Sequence, residues 1–462
     1  MTAIVTNKFK QFMLDKLKTD FLDSASNTYY MAIGRSEDWN ASDDAPDFLV
    51  NDALQSLRNA RDTRLALQSA KVIANFSYVI PRHDWIANTI YPAFSDAVAN
   101  VPTNGYYVMT DENNVYICLQ QGKDGGGEST RSTIKPTGTS VLPFDTSDGY
   151  VWKFLYNISS SDANKYVSTN FIPVAFIDSA VSYAQATESQ QKDIQDDAAA
   201  NHPKSIVGYE IVSNGAGTYP ASSTQAVSIV GNGTGAAATA TIDANGNIVK
   251  VTVDDSTNSD KNFGRDYDYA NAVVAGGGTG TVRPIFSPPL GIGGDATQDL
   301  RALSAMFNVK LENDENDTIL ASNDFRQVSL MRNPKTPGGA NFTTTTGLFL
   351  KKLVYSNLTG GTFQEDDTVT GATSGAKAFV DFSDNVNTKI WYHQNDSTGF
   401  TQFVNSETIS NGSGVSAILL GSNFDSAADI DRFSGDLLYT DNRAAIDRNS
   451  QQTEDLKIVI RF

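Results

Sequence analysis

FQEDDTVTGATSGA at residues 363–376 and FVNSETISNGSGV at residues 403–415 are two copies of one pattern. Phe363, Thr368-Val369 and Ser374-Gly375-Ala376 recur as Phe403, Thr408-Ile409 and Ser413-Gly414-Val415, at an offset of 40 that slips to 39 after one deletion. Each copy reads as an aromatic, an acid, Thr with a β-branched residue, a turn, Ser-Gly-small and an apolar strand. Thr, Val and Ile suit a pleated, half-buried surface, and Gly supplies the turn. Each copy therefore predicts a Gly-bounded β-hairpin. One hairpin cannot bury its apolar face alone, so the copies are expected to stack or pair around a shared face.

The same vocabulary fills the stretch from 204 to 289. Ile206–Ser213, 226–230, 236–242 and Ile248–Val253 are short β-type runs, separated by Gly215-Ala216-Gly217, Gly231-Asn232-Gly233 and the turn at 243–247. Gly276-Gly277-Gly278 and Ser287-Pro288-Pro289 mark the end. The first 200 residues are mixed. An amphipathic helix is expected over 8–21, with Phe9, Phe12, Met13, Leu17 and Phe21 opposite Lys8, Lys10, Lys16 and Lys18. A second helix is expected over 47–70, a hairpin at 106–120 turning through 111–114, an aromatic buried strand at 149–158 and a polar helix at 188–200. The expected fold class is mainly β with minor α. It comprises a multi-domain β-sandwich-like framework at 1–200, 290–352 and 424–462. Two small Gly-rich β insertions, at 201–289 and 353–423, interrupt it, and the second holds the repeat.

The 462 residues are 40% hydrophobic and 10% aromatic, enough for several buried cores. The net charge is −18, from 53 acidic and 35 basic residues, and such a surface repels phosphate backbones. No nucleic-acid partner is expected. No signal-peptide core opens the chain and no apolar run is long enough to span a bilayer, so no membrane partner is expected either. Cys118 is the single cysteine, which precludes an intrachain disulfide and reads as a small core residue.

Enzyme signals are poor. The three histidines are His83, His202 and His393, and no Gly-x-Ser-x-Gly elbow is present. His83 and Asp84 are adjacent, and neighbours on a strand point to opposite faces, so Asp84 is badly placed to orient His83. One cysteine with scattered histidines gives no zinc site. The oxygen-rich run at 313–317 lacks the Gly and distal Glu of a calcium loop and reads as a solvated turn. Gly276–Gly280 has no following Lys-Ser/Thr and reads as a turn, not a phosphate cradle. No catalytic, metal or cofactor-binding residue is assigned, and no cofactor is expected.

Three compact aromatic and charged strings stand out. They are Gly34-Arg35-Ser36-Glu37-Asp38-Trp39, Val79-Ile80-Pro81-Arg82-His83-Asp84-Trp85 and Asp148-Gly149-Tyr150-Val151-Trp152-Lys153-Phe154-Leu155. Trp and Arg at this density suit buried anchors and protein–protein contacts. Arg35, Trp39, Arg82, Asp84, Trp85, Tyr150 and Trp152 are therefore candidate structural or interface residues.

These strings resemble the baseplate wedge protein family encoded by gene 8 of T-even-type contractile-tailed phages. That family shows a Gly-Arg-Ser-Glu-x-Trp string, then Val-Ile-Pro-Arg-x-Asp-Trp, then a Gly-Tyr-Val-Trp strand, in the order found here. Val115-Tyr116-Ile117-Cys118-Leu119 is also similar. So are Phe325-Arg326-Gln327-Val328-Ser329 ahead of Asn333-Pro334, Ser434-Gly435-Asp436 with Tyr439, Asn442-Arg443, and Gln452-Thr453-Glu454 before the terminal strand. Arg326 joins the candidates on this ground. The resemblance covers 1–200, 290–352 and 424–462, and leaves 201–289 and 353–423 without a counterpart. It implies a structural, non-enzymatic subunit of a myovirus tail baseplate. Such a subunit is a homodimer that contacts other wedge proteins, rearranges on contraction, belongs to the virion and is assembled in the host bacterial cytoplasm. The insertions are expected to meet the host surface or a peripheral tail protein. In the alternative reading they form a host-surface glycan-binding module, with Tyr209, Tyr219, Trp391 and Tyr392 as exposed platforms.

Overall fold

The computed structural model describes residues 5–40, 42–45, 53–97, 105–175, 177, 186–256, 260–312, 315, 318–319, 324–449 and 452–462. Residues 47–52 of the expected second helix, and all of the acidic run 313–317 except Glu315, lie outside the described residues. Strands make up 42% of the chain and helices 12%, so the protein is mainly β, as its composition predicts. The chain forms two compact units. One comprises Met1–Leu14, Ser77–Met306 and Val459–Phe462, the other Asp15–Phe76 and Phe307–Ile458.

The first unit is built around an aromatic antiparallel sheet, in the order Tyr107–Met109, Asn114–Gln120, Val151–Asn157, Phe144–Asp145. The first two strands form the expected hairpin, with Tyr107 opposite Ile117 and Met109 opposite Val115. Asn113 takes the turn's left-handed position at φ 61°, which Asn tolerates better than most residues. Tyr116, Cys118, Tyr150, Trp152 and Phe154 pack with Ile194 of the helix Ala186–Asn201 in one core. Val79 to Pro81 pair antiparallel with Pro173 to Phe171.

A second sheet in this unit has six strands, ordered Ile248–Val253, Ala238–Ile242, Thr224–Gly231, Ala270–Val274, Thr281–Phe286 and Ile206–Ser213. One face buries Val227, Ala238, Ala240, Ile242, Ala272 and Val274 around Tyr219. Gly278 and Gly280 of the Gly-rich run press on that ring. A Cβ on Gly278 would stand 2.4 Å from Tyr219 Cζ, so a side chain there would displace it.

The second unit holds a five-stranded sheet ordered Thr346–Leu348, Leu67–Val72, Tyr29–Gly34, Asp324–Arg332, Asp436–Asp447. Tyr29–Gly34 is buried along its whole length, with Tyr30 opposite both Val72 and Met331. The expected helix over 47–70 is corrected here. Helix Ala53–Leu65 ends early, and Leu67–Val72 becomes a strand bonded on both sides. Local Ala and Gln content favours helix, but two ladders of backbone hydrogen bonds override so weak a preference. The first helix, Asn7–Leu22, forms as expected, but Phe9, Phe12 and Met13 are exposed and Leu14 is its buried residue.

The repeat builds a sheet in the order Lys389–His393, Lys377–Asp384, Thr368–Gly371, Thr408–Ser410, Ser416–Leu419, Lys351–Thr359, with the short strand Asp425–Ser426 at its end. Lys389–His393 also pairs with Lys351–Thr359, from Lys351 opposite Tyr392 to Val354 opposite Lys389, and this closes the sheet. Where the copies meet, Thr370 faces Ser410, its own equivalent 40 residues on, so a local two-fold relates the hairpins. Phe363, Phe403, Val369 and Ile409 fill the interior with Tyr355, Tyr392 and Leu419. The repeated acid has a structural role. Asp367 Oδ2 accepts from Gln364 N at 2.9 Å, and Glu407 Oε1 accepts from Val404 N at 2.7 Å. Each also reaches the other copy, Asp367 accepting from Asn411 Nδ2 and Glu407 from the backbone of Thr373 and Ser374. Burial opposes a charge on Glu407, but these donors outweigh it and hold the carboxyl below its usual range.

Candidate functional site

In the second unit, the buried strand Tyr29–Gly34 leads into a loop, and its polar side chains meet partners remote in sequence. Gly34 is needed at the exit, because a Cβ there would lie 2.5 Å from the carbonyl of Ala66. Arg35 follows at φ 65° and lays its guanidinium over Trp39, 4.0 Å from the ring centroid. Trp39 is half-buried, and its Nε1 donates to the carbonyl of Arg443 at 2.8 Å.

Arg326, on the neighbouring strand, organises this loop. Its side chain is 5% exposed, and three carboxylates surround it: Asp38 at 2.6 Å, Asp43 at 2.7 Å and Asp324 at 2.7 Å. It also donates to the carbonyl of Ser36. Burial works against the guanidinium charge, yet Asp43 and Asp324 outweigh it and push the pKa up. The Arg326 hydrogen bond in turn holds Asp43 below its ordinary range.

One step along the loop lies a second charge network, with the ring of Phe379 against His393. Ser36 Oγ donates to Asp381 Oδ1 at 3.0 Å. His393 bonds Asp381 through Nδ1 at 2.8 Å and Glu37 through Nε2 at 2.9 Å. His393 and Asp381 are 2% and 1% exposed. Desolvation alone would discharge the ring, but the two carboxylates outweigh it and raise the His393 pKa to about 10. Both nitrogens then donate, and the imidazolium bridges the two acids. Glu37 feels the same burial penalty, and His393 reverses it, holding the carboxyl below its usual range.

The first unit holds the other candidates. Arg82 Nε donates to both oxygens of Asp84, at 2.9 and 3.0 Å, and Nη1 donates to the carbonyl of Ser168 at 3.2 Å. The His83 ring meets Tyr107 edge-on, with centroids 5.1 Å apart. Trp85 is half-buried against the aromatic core, its Nε1 donating to Ser132 Oγ at 3.2 Å. Tyr150 and Trp152, two apart on one strand, share a face and stack at 5.7 Å. Tyr150 Oη donates to Thr130 O at 2.7 Å and accepts from Tyr91 N at 3.2 Å. Next along the strand is Lys153, 3% exposed, whose Nζ donates to Val141 O and whose pKa burial pulls down.

The candidates thus form two groups, Arg35, Trp39 and Arg326 in one unit and Arg82, Asp84, Trp85, Tyr150 and Trp152 in the other. Sequence reading missed Asp381 and His393, because their partners Ser36 and Glu37 lie some 350 residues away and no local signal links them. The supposed aromatic platforms are corrected. Tyr219, Trp391 and Tyr392 are 5%, 6% and 1% exposed, and Tyr209 is half-buried with its hydroxyl enclosed. Tyr219 and Tyr392 fill the cores of the two Gly-rich sheets, Tyr209 packs against the first, and Trp391 packs with Leu348, Leu350 and Phe382 in a separate cluster. Among the described residues, no three His, Cys, Asp or Glu side chains are grouped to hold a metal ion, and no helix is long and apolar enough to cross a membrane.

No protein-family model matches the chain. A curated relative is the baseplate wedge protein gp8 of Enterobacteria phage T4, 28% identical over 188 residues. The similarity takes in 34% of this chain and 55% of that protein, so the chain spans about half the length of the relative it matches. Over that part of its length, this mainly β chain is similar to a structural protein of a phage baseplate.

Proposed function

We propose that this chain is a structural subunit of the baseplate wedge of a contractile phage tail, acting through assembly and not turnover. The observation that carries the reading is the 28% identity over 188 residues to a protein named as a baseplate wedge component. The geometry supports it in a general way. The Arg, Asp and Trp residues in the family-like strings are engaged in internal pairing and packing, as a scaffold requires. Arg326 is saturated by three carboxylates, Arg82 pairs with Asp84 and Ser168, and Trp152 is enclosed by the rings around it. In this reading the chain is a homodimer in the virion tail, made and assembled in the host bacterial cytoplasm. It contacts other wedge proteins and shifts with them on contraction. The regions 201–289 and 353–423 are insertions into a framework of 1–200, 290–352 and 424–462, and they face a peripheral partner.

Antibody-labelled electron microscopy of tails from cells expressing a tagged chain tests this. Label confined to the baseplate supports the reading. Label along the tube, or none on intact tails, rejects it. Light scattering should return about twice the 49.8 kDa chain mass.

A further inference from the structure

The second unit contains a cavity of about 350 Å³ beside the closed sheet of the repeat. Part of its buried lining is apolar, with Leu65, Phe349 and Ile430 at 5%, 0% and 1% exposure, beside buried His393 and Gln394. Phe400 and Phe433 also line it and are 57% and 58% exposed. An apolar cavity of a few hundred Å³ with a few fixed polar groups has the character of a binding pocket. Phenylalanines exposed beside it extend the apolar surface outward, as interaction sites do.

The pocket also has two cations in its lining, Arg432 and Lys351. Arg432 is fixed by carbonyls, Nη1 donating to Leu65 O at 2.7 Å and Nη2 to Phe349 O at 2.6 Å. Arg64 donates to the carbonyls of Arg432, Ser434 and Gly435, so the turn bearing Arg432 is itself held in place. Among the described residues, no carboxylate comes within 4.0 Å of either cation, although the charges of Asp381 and Asp431 act on Arg432 and that of Asp425 on Lys351 from further away. His393, a third cation in the lining, already has Asp381 and Glu37. Asp431 lines the cavity too, and its Oδ1 accepts from Phe433 N at 3.0 Å. Arg432, held by carbonyls, and Lys351, over the Tyr392 ring at 6.0 Å, favour an incoming carboxylate, because charge-assisted bonds are about twice as strong as neutral ones.

We propose that this pocket receives an aromatic side chain from an acidic segment of a neighbouring protein, with the ring in the cavity and the flanking carboxylate on Lys351 and Arg432. The proposal rests on reading the chain as an assembly subunit. A small amphipathic acid shares the chemistry but would leave Phe400 and Phe433 uncovered, whereas a protein segment covers them. An aromatic anchor in a pre-formed pocket is also how interfaces concentrate their affinity.

The test titrates the full chain, at low ionic strength, with three probes followed by NMR. They are Ac-Asp-Phe-Asp-NH2, its neutral isostere Ac-Asn-Phe-Asn-NH2, and octanoate. The acidic peptide should bind saturably and about tenfold more tightly than the isostere, and added salt should erode the difference. Ala428→Trp, which fills the cavity, should abolish binding. Lys351→Gln should remove most of the acidic preference, and Phe400→Ser, at an exposed position, should weaken binding with the circular dichroism unchanged. Absence of saturable binding, equal binding of peptide and isostere, or full binding by a folded Ala428→Trp chain overturns the proposal. So does octanoate binding more tightly than the peptide, which would mark a small-molecule site. A chain that enters tails yet binds no probe sinks the pocket alone. One that binds the acidic peptide but never enters a tail sinks the assembly reading alone.

Discussion

His393→Phe removes the cation from a site where Asp381 is 1% exposed and, among the described residues, keeps only Ser36 Oγ as a hydrogen-bond donor. Two routes give the size of the effect. Breaking a buried ion pair by deleting one partner costs about 3–5 kcal/mol, because the other charge stays buried and uncompensated. Raising a histidine from its ordinary 6.5 to about 10 corresponds to on the order of 5 kcal/mol, at roughly 1.4 kcal/mol per tenfold change in affinity for the proton. The two agree. A loss of this size lowers the melting temperature by roughly 6–20 °C in a domain of a couple of hundred residues. The pH dependence separates the ion network from simple packing loss. A group whose folded pKa is raised contributes fully below its unfolded value and loses that contribution as pH climbs to the folded one. The gap between parent and variant should therefore be widest at pH 5.5–6.5 and close progressively toward pH 10. Scanning calorimetry of both chains across that range measures it. A variant melting within about 1 °C of the parent, or a gap independent of pH, would refute the reasoning.

Arg326→Met leaves Asp38, Asp43 and Asp324 without their shared cation. Hydrogen exchange in 36–43 should accelerate, and unchanged exchange there contradicts the assigned role. Trp152→Ala, at 0% exposure, should cost about 3–5 kcal/mol or leave the chain insoluble. Trp39→Ala should cost far less, because its ring is half-buried and its Arg35 contact adds only about 0.5–1 kcal/mol; equal melting losses would show that burial is not the determinant. Replacing 205–286 by a short Gly/Ser linker should leave a soluble chain with a slightly lower melting temperature. Ser205 and Ser287 already exchange backbone and side-chain hydrogen bonds, so the gap is short. Excising 358–421 should be clearly worse, since it removes Asp381 and His393 and strands Ser36 and Glu37. Equal tolerance of the two excisions would argue against the importance of that network.

The sequence by itself determined the β class, because alternation at period two and Gly-bounded turns are local properties. The runs at 206–213 and 248–253 are strands for that reason. The hairpin at 107–120 was legible from its turn. The repeat was legible too, and its acid at Asp367 and Glu407 is a local loop cap before it is anything else. The density of charge and rings at Gly34–Trp39 was visible, but not what it holds. Only the tertiary structure decided that Ser36 and Glu37 meet Asp381 and His393, and that Arg326 gathers Asp38 and Asp43. It also decided that Leu67–Val72 is a strand between two others, that Trp152 is enclosed while Trp39 is half-open, and that Tyr219, Trp391 and Tyr392 are core and not surface. The physical reason is the same in each case. Propensity and turn chemistry act over a few residues, whereas burial and charge pairing depend on which distant segments the closed sheets bring together.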